Sequence, residues 1–298
     1  MVVGAGLALS ATSAWSQETR LTFEVPDGAC DCHHHIYDPR FPYLPDARKQ
    51  APATVADYRI FQKKMGTSRD VIVLPSAYGT NNQPLYDFLA ATGNVTRAIG
   101  VMHADVPMAE MKKLDRAGVR GVRIQFSGGG KGFFKREEIP KIAAHIAPLG
   151  WHIQFHMPGP LLAELEPVIL ALPTPVVVDH MAHASSVDQP QYKTMRKLLD
   201  TGRGWIKVSG INMDSKVGPP GYDDTSAVAR SYMRAAPERV VWGSNWPFPG
   251  EHPPPDVVVL LNALAAQAQT RAMLHRVLVE NPETLYGFDP AHRPKATG

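Results

Sequence analysis

The chain has few cysteines. Cys30 and Cys32 are the only two in 298 residues, so no disulfide framework organises the fold. Residues two apart on a strand share a face with Cα atoms about 6.5–7 Å apart, at the limit of disulfide reach. The pair therefore reads as two small core residues and fits either redox compartment. No run of eighteen or more apolar residues occurs, which leaves no candidate for a membrane-spanning helix. An excess of one charge is missing too: 31 basic against 28 acidic side chains give a net charge of +3, with no long Lys/Arg run. Neither nucleic acid nor an anionic membrane is an expected partner. Internal repeats, low-complexity tracts and a dividing linker are also absent. What remains is one globular domain, of a length that suits a closed α/β barrel of about 250 residues.

The first residues stand apart. Val2–Ser16 is rich in Gly, Ala, Val and Leu, and Ala14-Trp15-Ser16 offers small residues at both positions a signal peptidase reads. The segment looks like the apolar and cleavage parts of an export signal without its basic start. It implies a mature protein from near Gln17 in the periplasm, or a cytoplasmic one where the segment is not a signal. Residues 17–27 would be a short extension, 28–290 the domain and 291–298 a tail.

Eight apolar, β-branched runs recur along the domain: Ala29–Ile36, Asp70–Ser76, Arg97–His103, Gly121–Phe126, His152–Met157, Pro175–Met181, Trp205–Gly210 and Val240–Asn245. Amphipathic stretches such as Val55–Met65, Met108–Ala117, Glu137–Ala147, Tyr192–Leu199 and Ala227–Ala235 lie between them. Strands that alternate with helices give parallel βαβ units, and near-continuous apolar strands are buried on both faces. Eight such units predict a single (β/α)₈ TIM barrel. Ser76, His103, Arg123, His156, His180, Ser209 and Asn245 all fall at the C-terminal ends of predicted strands, the end that carries chemistry in such barrels. Exposed barrel faces would also suit a homo-oligomer.

The first predicted strand reads Cys30-Asp31-Cys32-His33-His34-His35. Strict alternation puts Asp31, His33 and His35 on one face and Cys30, Cys32 and His34 on the other. His33 and His35 can converge on one metal ion or one substrate oxygen, and His34 reads as structural. His156 and His180 bring the rim histidines to four, and three suffice for a catalytic zinc with an open position.

These features, with the turn Trp242-Gly243-Ser244-Asn245-Trp246-Pro247 and the closing Asn281-Pro-Glu-Thr-Leu-Tyr-Gly-Phe, resemble the amidohydrolase superfamily over residues 28–288. The likeness is to its lactone branch of pyrone-dicarboxylate lactonases, galactarolactone isomerases and sulfomuconolactone hydrolases. It implies an enzyme that attacks the polarised carbonyl of a small carboxylated lactone. His33, His35, His180 and Asn245 would be catalytic, and Ser76, Arg123, Lys131 and Tyr43 would bind substrate. Three departures matter. Asn245 stands where an Asp usually activates water, and an amide is no base. Residues 127–132, including Lys131, replace a second Arg. His156 replaces a Tyr, which with His33 and His35 would make a mononuclear Zn²⁺ site; a metal-independent reaction is the alternative. Asn245 also keeps open a lactone isomerase, in which a substrate hydroxyl attacks, and a non-catalytic barrel that binds small acids.

Overall fold

The computed structural model describes residues 19–126 and 133–297. The expected export segment Val2–Ser16 and Lys131 lie outside the described residues. Eight parallel strands stand in sequence order, β1 (Cys30–His34), β2 (Arg69–Val73), β3 (Thr96–Gly100), β4 (Val119–Gln125), β5 (His152–His156), β6 (Val176–Val178), β7 (Gly204–Lys207) and β8 (Val240–Val241). The barrel closes largely through the chain that follows β8. Cys32 N–H donates to the Trp242 carbonyl, Asn245 N–H to the His33 carbonyl and His35 N–H to the Trp246 carbonyl, each at 2.8 Å. No helix among the described residues is long and apolar enough to cross a membrane.

Alternation along the strands sorts their side chains. Ile72, Val122, Ile124, Phe155, Val176 and Val178 pack outward against the helices. Cys30, Cys32, Val71, Val73, Ile99, Val177 and Val241 fill the bottom of the interior, with Tyr286 and Phe288 packed beneath them. The two cysteines are free and buried, as expected. Helices form where the sequence supplies their ends. Thr54 caps Val55–Met65 in a capping box with Asp57, and Gly66 ends that helix at φ 77°.

β1 departs from strict alternation. Its pairing with β2 shifts register between Asp31 and His34, so one residue is absorbed as a bulge. Asp31 turns outward, where it accepts from Tyr58 Oη at 3.0 Å and from Ser244 Oγ at 2.6 Å. His34 also turns outward, stacked on Tyr58 with ring centroids 3.5 Å apart and bonded to Asp70 at 2.9 Å. Cys30, Cys32, His33 and His35 face the interior. The predicted grouping of Asp31 with His33 and His35 is thus corrected by a single bulge.

Candidate active site

Above the apolar floor the inward positions become polar and form two tiers. The lower tier centres on Asp179, just after β6. Its Oδ2 accepts from Arg123 Nε of β4 at 3.3 Å and Gln154 Nε2 of β5 at 3.1 Å. Its Oδ1 lies 3.5 Å from Lys207 Nζ of β7 and 3.3 Å from His33 Nδ1. Lys207 also donates to Gln154 Oε1 at 2.8 Å and to the Cys32 carbonyl at 3.0 Å. All five side chains are buried. Burial opposes a charge on Asp179, but His33, Lys207 and Arg123 hold its carboxyl well below the usual range. His33 is itself pushed well down by burial and stays neutral, so Lys207 and Arg123 supply the countercharge. The tier carries one negative and two positive charges.

The upper tier lines a pocket of about 180 Å³ that includes His35, Ser76, Arg123, His156, His180 and Asn245. His35 Nδ1 lies 2.8 Å from the Val73 carbonyl. A carbonyl only accepts, so Nδ1 carries the proton and Nε2 of the neutral ring is an acceptor. His180 Nδ1 pairs with Ser209 Oγ at 3.0 Å, a hydroxyl able to donate or accept. Burial is the first cause pushing His180 down to about 3, partly opposed by Asp179. Burial, then Arg123, pushes His35 and His156 well below their ordinary range. The pocket imidazoles are therefore neutral at pH 7.

Backbone strain builds part of this tier. His180, Met181, Ala182 and His183 follow one another at φ 50°, 52°, 58° and 51°, a left-handed turn that costs about 1–2 kcal/mol per non-glycine residue. It gathers the His180 and His183 rings beside His156, with centroids 5.3–6.0 Å apart. His183 Nδ1 is held by Asp214 at 2.9 Å. Asn245 sits at φ 64°. Its Nδ2 donates to Glu251 Oε1 at 3.5 Å, and Asn212 Nδ2 donates to the other Glu251 oxygen. Burial raises the Glu251 carboxyl, partly offset by these two amides.

Most of the residues singled out in the sequence meet here. Ser76, Arg123, His35, His156, His180 and Asn245 share the pocket, while His33 lies fully buried beneath it, its ring 5.0 Å from His35 and 4.8 Å from His180. Tyr43 does not line the pocket. It packs behind Tyr37, which does, at a centroid distance of 6.1 Å. His103 is also elsewhere, its Nδ1 3.2 Å from Glu138 Oε1 and its ring packed on Phe134. The chain after β1 also lines the pocket, through Tyr37, Ala47, Arg48 and Gln50.

The metal expectation is corrected in its ligands. Among the described residues, the donor atoms that come within 4.8 Å of one another belong to His33, Asp179 and His180, not to His33, His35 and His156. These donor types suit zinc. Their charge environment does not, because Lys207 and Arg123 already neutralise Asp179 and would repel a divalent ion. Sequence reasoning gave no role to Asp179, Lys207 or Glu251. A lone carboxylate or lysine within an inward-facing apolar strand was the available signal for the first two.

Comparison with known proteins agrees with this geometry. The family model described as amidohydrolase matches residues 30–288. A 4-sulfomuconolactone hydrolase from Rhizobium radiobacter is 33% identical, over 90% of this chain and 92% of its own. A 2-pyrone-4,6-dicarboxylate hydrolase from Comamonas testosteroni is 32% identical over 91% and 94%. A D-galactarolactone isomerase from Agrobacterium fabrum is 30% identical over 89% and 93%. A crystal structure from Agrobacterium tumefaciens superposes with a TM-score of 0.81 at 30% identity, covering 89% of this chain and 97% of that one. On the whole-chain match, the parallel barrel and the histidine-lined pocket at its C-terminal rim, the chain belongs to the amidohydrolase family.

Proposed function

We propose that the protein hydrolyses the lactone ring of a small carboxylated metabolite. The observation that carries this reading is a pocket in which one buried guanidinium, Arg123, faces three neutral imidazoles. Arg123 recognises the carboxylate or the carbonyl oxygen as charge develops on it, and the Ser76 hydroxyl donates beside it. His35 Nε2 takes a proton from water as the water oxygen bonds to the ring carbonyl carbon. The tetrahedral oxyanion collapses, the ring C–O bond breaks and the His35 imidazolium gives that proton to the departing alkoxide, which resets the site, with the neutral His180 ring beside it in the pocket. Lactone and water thus give a hydroxy acid. His35 acts here as base rather than as the electrophile, because its tautomer is fixed by Val73.

The reaction runs without a metal on this reading, supported by the two cations around Asp179. Activity that survives chelation and elemental analysis supports it, and loss of activity restored by Zn²⁺ rejects it. A second reading, lactone isomerisation, is favoured by Asn245, since an intramolecular hydroxyl needs less activation than water, and by the name of the Agrobacterium fabrum relative. Product analysis on a panel of carboxylated lactones decides. Hydrolysis gives ring-opened acids heavier by one water, isomerisation gives a lactone of unchanged mass, and no turnover with retained binding leaves a binding barrel. The composition of Val2–Ser16 supports export; protein from its host that begins near Gln17 would agree, and an intact Met1 on cytoplasmic protein would not.

A further inference from the structure

Asn245 lines the pocket with its backbone already fixed. Its N–H donates to the His33 carbonyl and its carbonyl accepts from Phe248 N–H, both at 2.8 Å. What remains to be set is which end of the side-chain amide faces the ligand, since the two orientations have nearly the same shape. Glu251 decides it. An ionised carboxylate only accepts, and one oxygen of Glu251 takes Asn245 Nδ2 while the other is held by Asn212 Nδ2. Turning the Asn245 amide over would set oxygen lone pairs against a carboxylate. Nδ2 is therefore committed to Glu251, and Oδ1 is the atom offered to the pocket.

We infer that Glu251 is a positioning residue that makes Asn245 a hydrogen-bond acceptor and so tunes the site for water. The inference rests on the lactonase reading above and goes beyond it. Water brings two O–H groups, one for His35 Nε2 and one for Asn245 Oδ1, which fixes the attacking lone pair on the carbonyl carbon. A substrate hydroxyl brings one O–H and can satisfy only one of these acceptors. The carboxylate that the strand-end position lacks is thus replaced by an amide whose direction is set from behind, and the choice between hydrolysis and isomerisation is made at Glu251.

The test is a polarity swap. Glu251→Gln supplies a donor as well as an acceptor, so the Asn245 amide can turn and offer Nδ2 to the pocket. On a hydroxyl-bearing lactone, kcat for hydrolysis should fall about tenfold or more with KM changed less than about threefold, and the share of isomerised product should rise. Asn245→Asp alone places two carboxylates together, which share a proton, and should also be slow. Asn245→Asp with Glu251→Gln restores an acceptor toward the pocket and a donor behind it, and should recover most of kcat. An unchanged kcat in Glu251→Gln, or a double variant no better than Asn245→Asp, overturns the inference. A second measurement is independent of turnover. The side-chain amide resonances of Asn245, assigned by ¹⁵N NMR, should move in Glu251→Gln. Unmoved resonances overturn the inference, whereas shifted resonances in a protein inert toward all lactones uphold it while the lactonase reading fails.

Discussion

His34 and His35 are neighbours in the chain that answer to different parts of the molecule. His34 is buried against Tyr58 and bonded to Asp70, behind the barrel wall, whereas His35 opens on the pocket. Their alanine variants should fail in different ways. His34→Ala is expected to lower stability by about 2–4 kcal/mol, from the cavity and the lost partner of a buried carboxylate, while kcat/KM stays within a few-fold of wild type. His35→Ala is expected to keep its urea midpoint and to lose about 10²–10⁴ in kcat/KM, as removal of a general base does. Reversal of the two phenotypes would refute the division. The rim histidines, Arg123 and Asn245 were legible in the sequence because polar residues at strand ends are conspicuous. Asp179 and Lys207 were not, because each looks like an isolated exception in an apolar strand until the barrel brings them within 3.5 Å. The facing of Asp31 was misread for a related reason: a one-residue bulge leaves no mark in composition.

Among the elements, the seam between β8 and β1 is the most constrained. A Cβ on Gly243 would lie 2.4 Å from His33 Cβ and 2.6 Å from His33 N, contacts no side-chain rotation can relieve. Gly243→Ala should therefore push the chain after β8 off β1, weakening the Asn245-to-His33 bond that closes the barrel. We expect a loss of about 3 kcal/mol or more in urea unfolding, with activity falling alongside; a fully stable variant would show that the seam is not tight. The eight strands and the five amphipathic helices named from the sequence followed from apolar runs and their spacing, but strand ends did not. β8 was read as Val240–Asn245 and spans only Val240–Val241, because Asn245 takes a left-handed conformation and the chain turns to meet Asp31. The left-handed turn after β6 shortened the sixth strand similarly. In both places the ladder gives way to geometry that places pocket side chains, which hydrophobic pattern does not encode.

At the scale of the whole molecule, neutral histidines inside the barrel tie stability to pH. A histidine of the unfolded chain takes up a proton near pH 6.5, whereas burial pushes His152 and His180 down to about 3 in the native state. Above pH 6.5 both states leave these rings neutral and their contribution is complete. Between pH 6.5 and about 3 the unfolded chain binds protons that the native state refuses, so stability falls by up to about 1.4 kcal/mol per pH unit for each ring. Burial acts in the same direction on His33, His35 and His156. The urea midpoint should drop steeply from pH 7.5 to pH 5, and a flat profile would mean that these rings titrate alike folded and unfolded. The same interior holds Cys30 and Cys32, fully enclosed above Tyr286 and Phe288, with burial driving the Cys30 thiol well above its ordinary range. Only a thiolate reached by reagent is alkylated, so a maleimide should leave the native protein unmarked and report, molecule by molecule, each occasion on which the floor comes open. The barrel thus carries its own stopwatch for unfolding, one that needs no dye and no engineered probe.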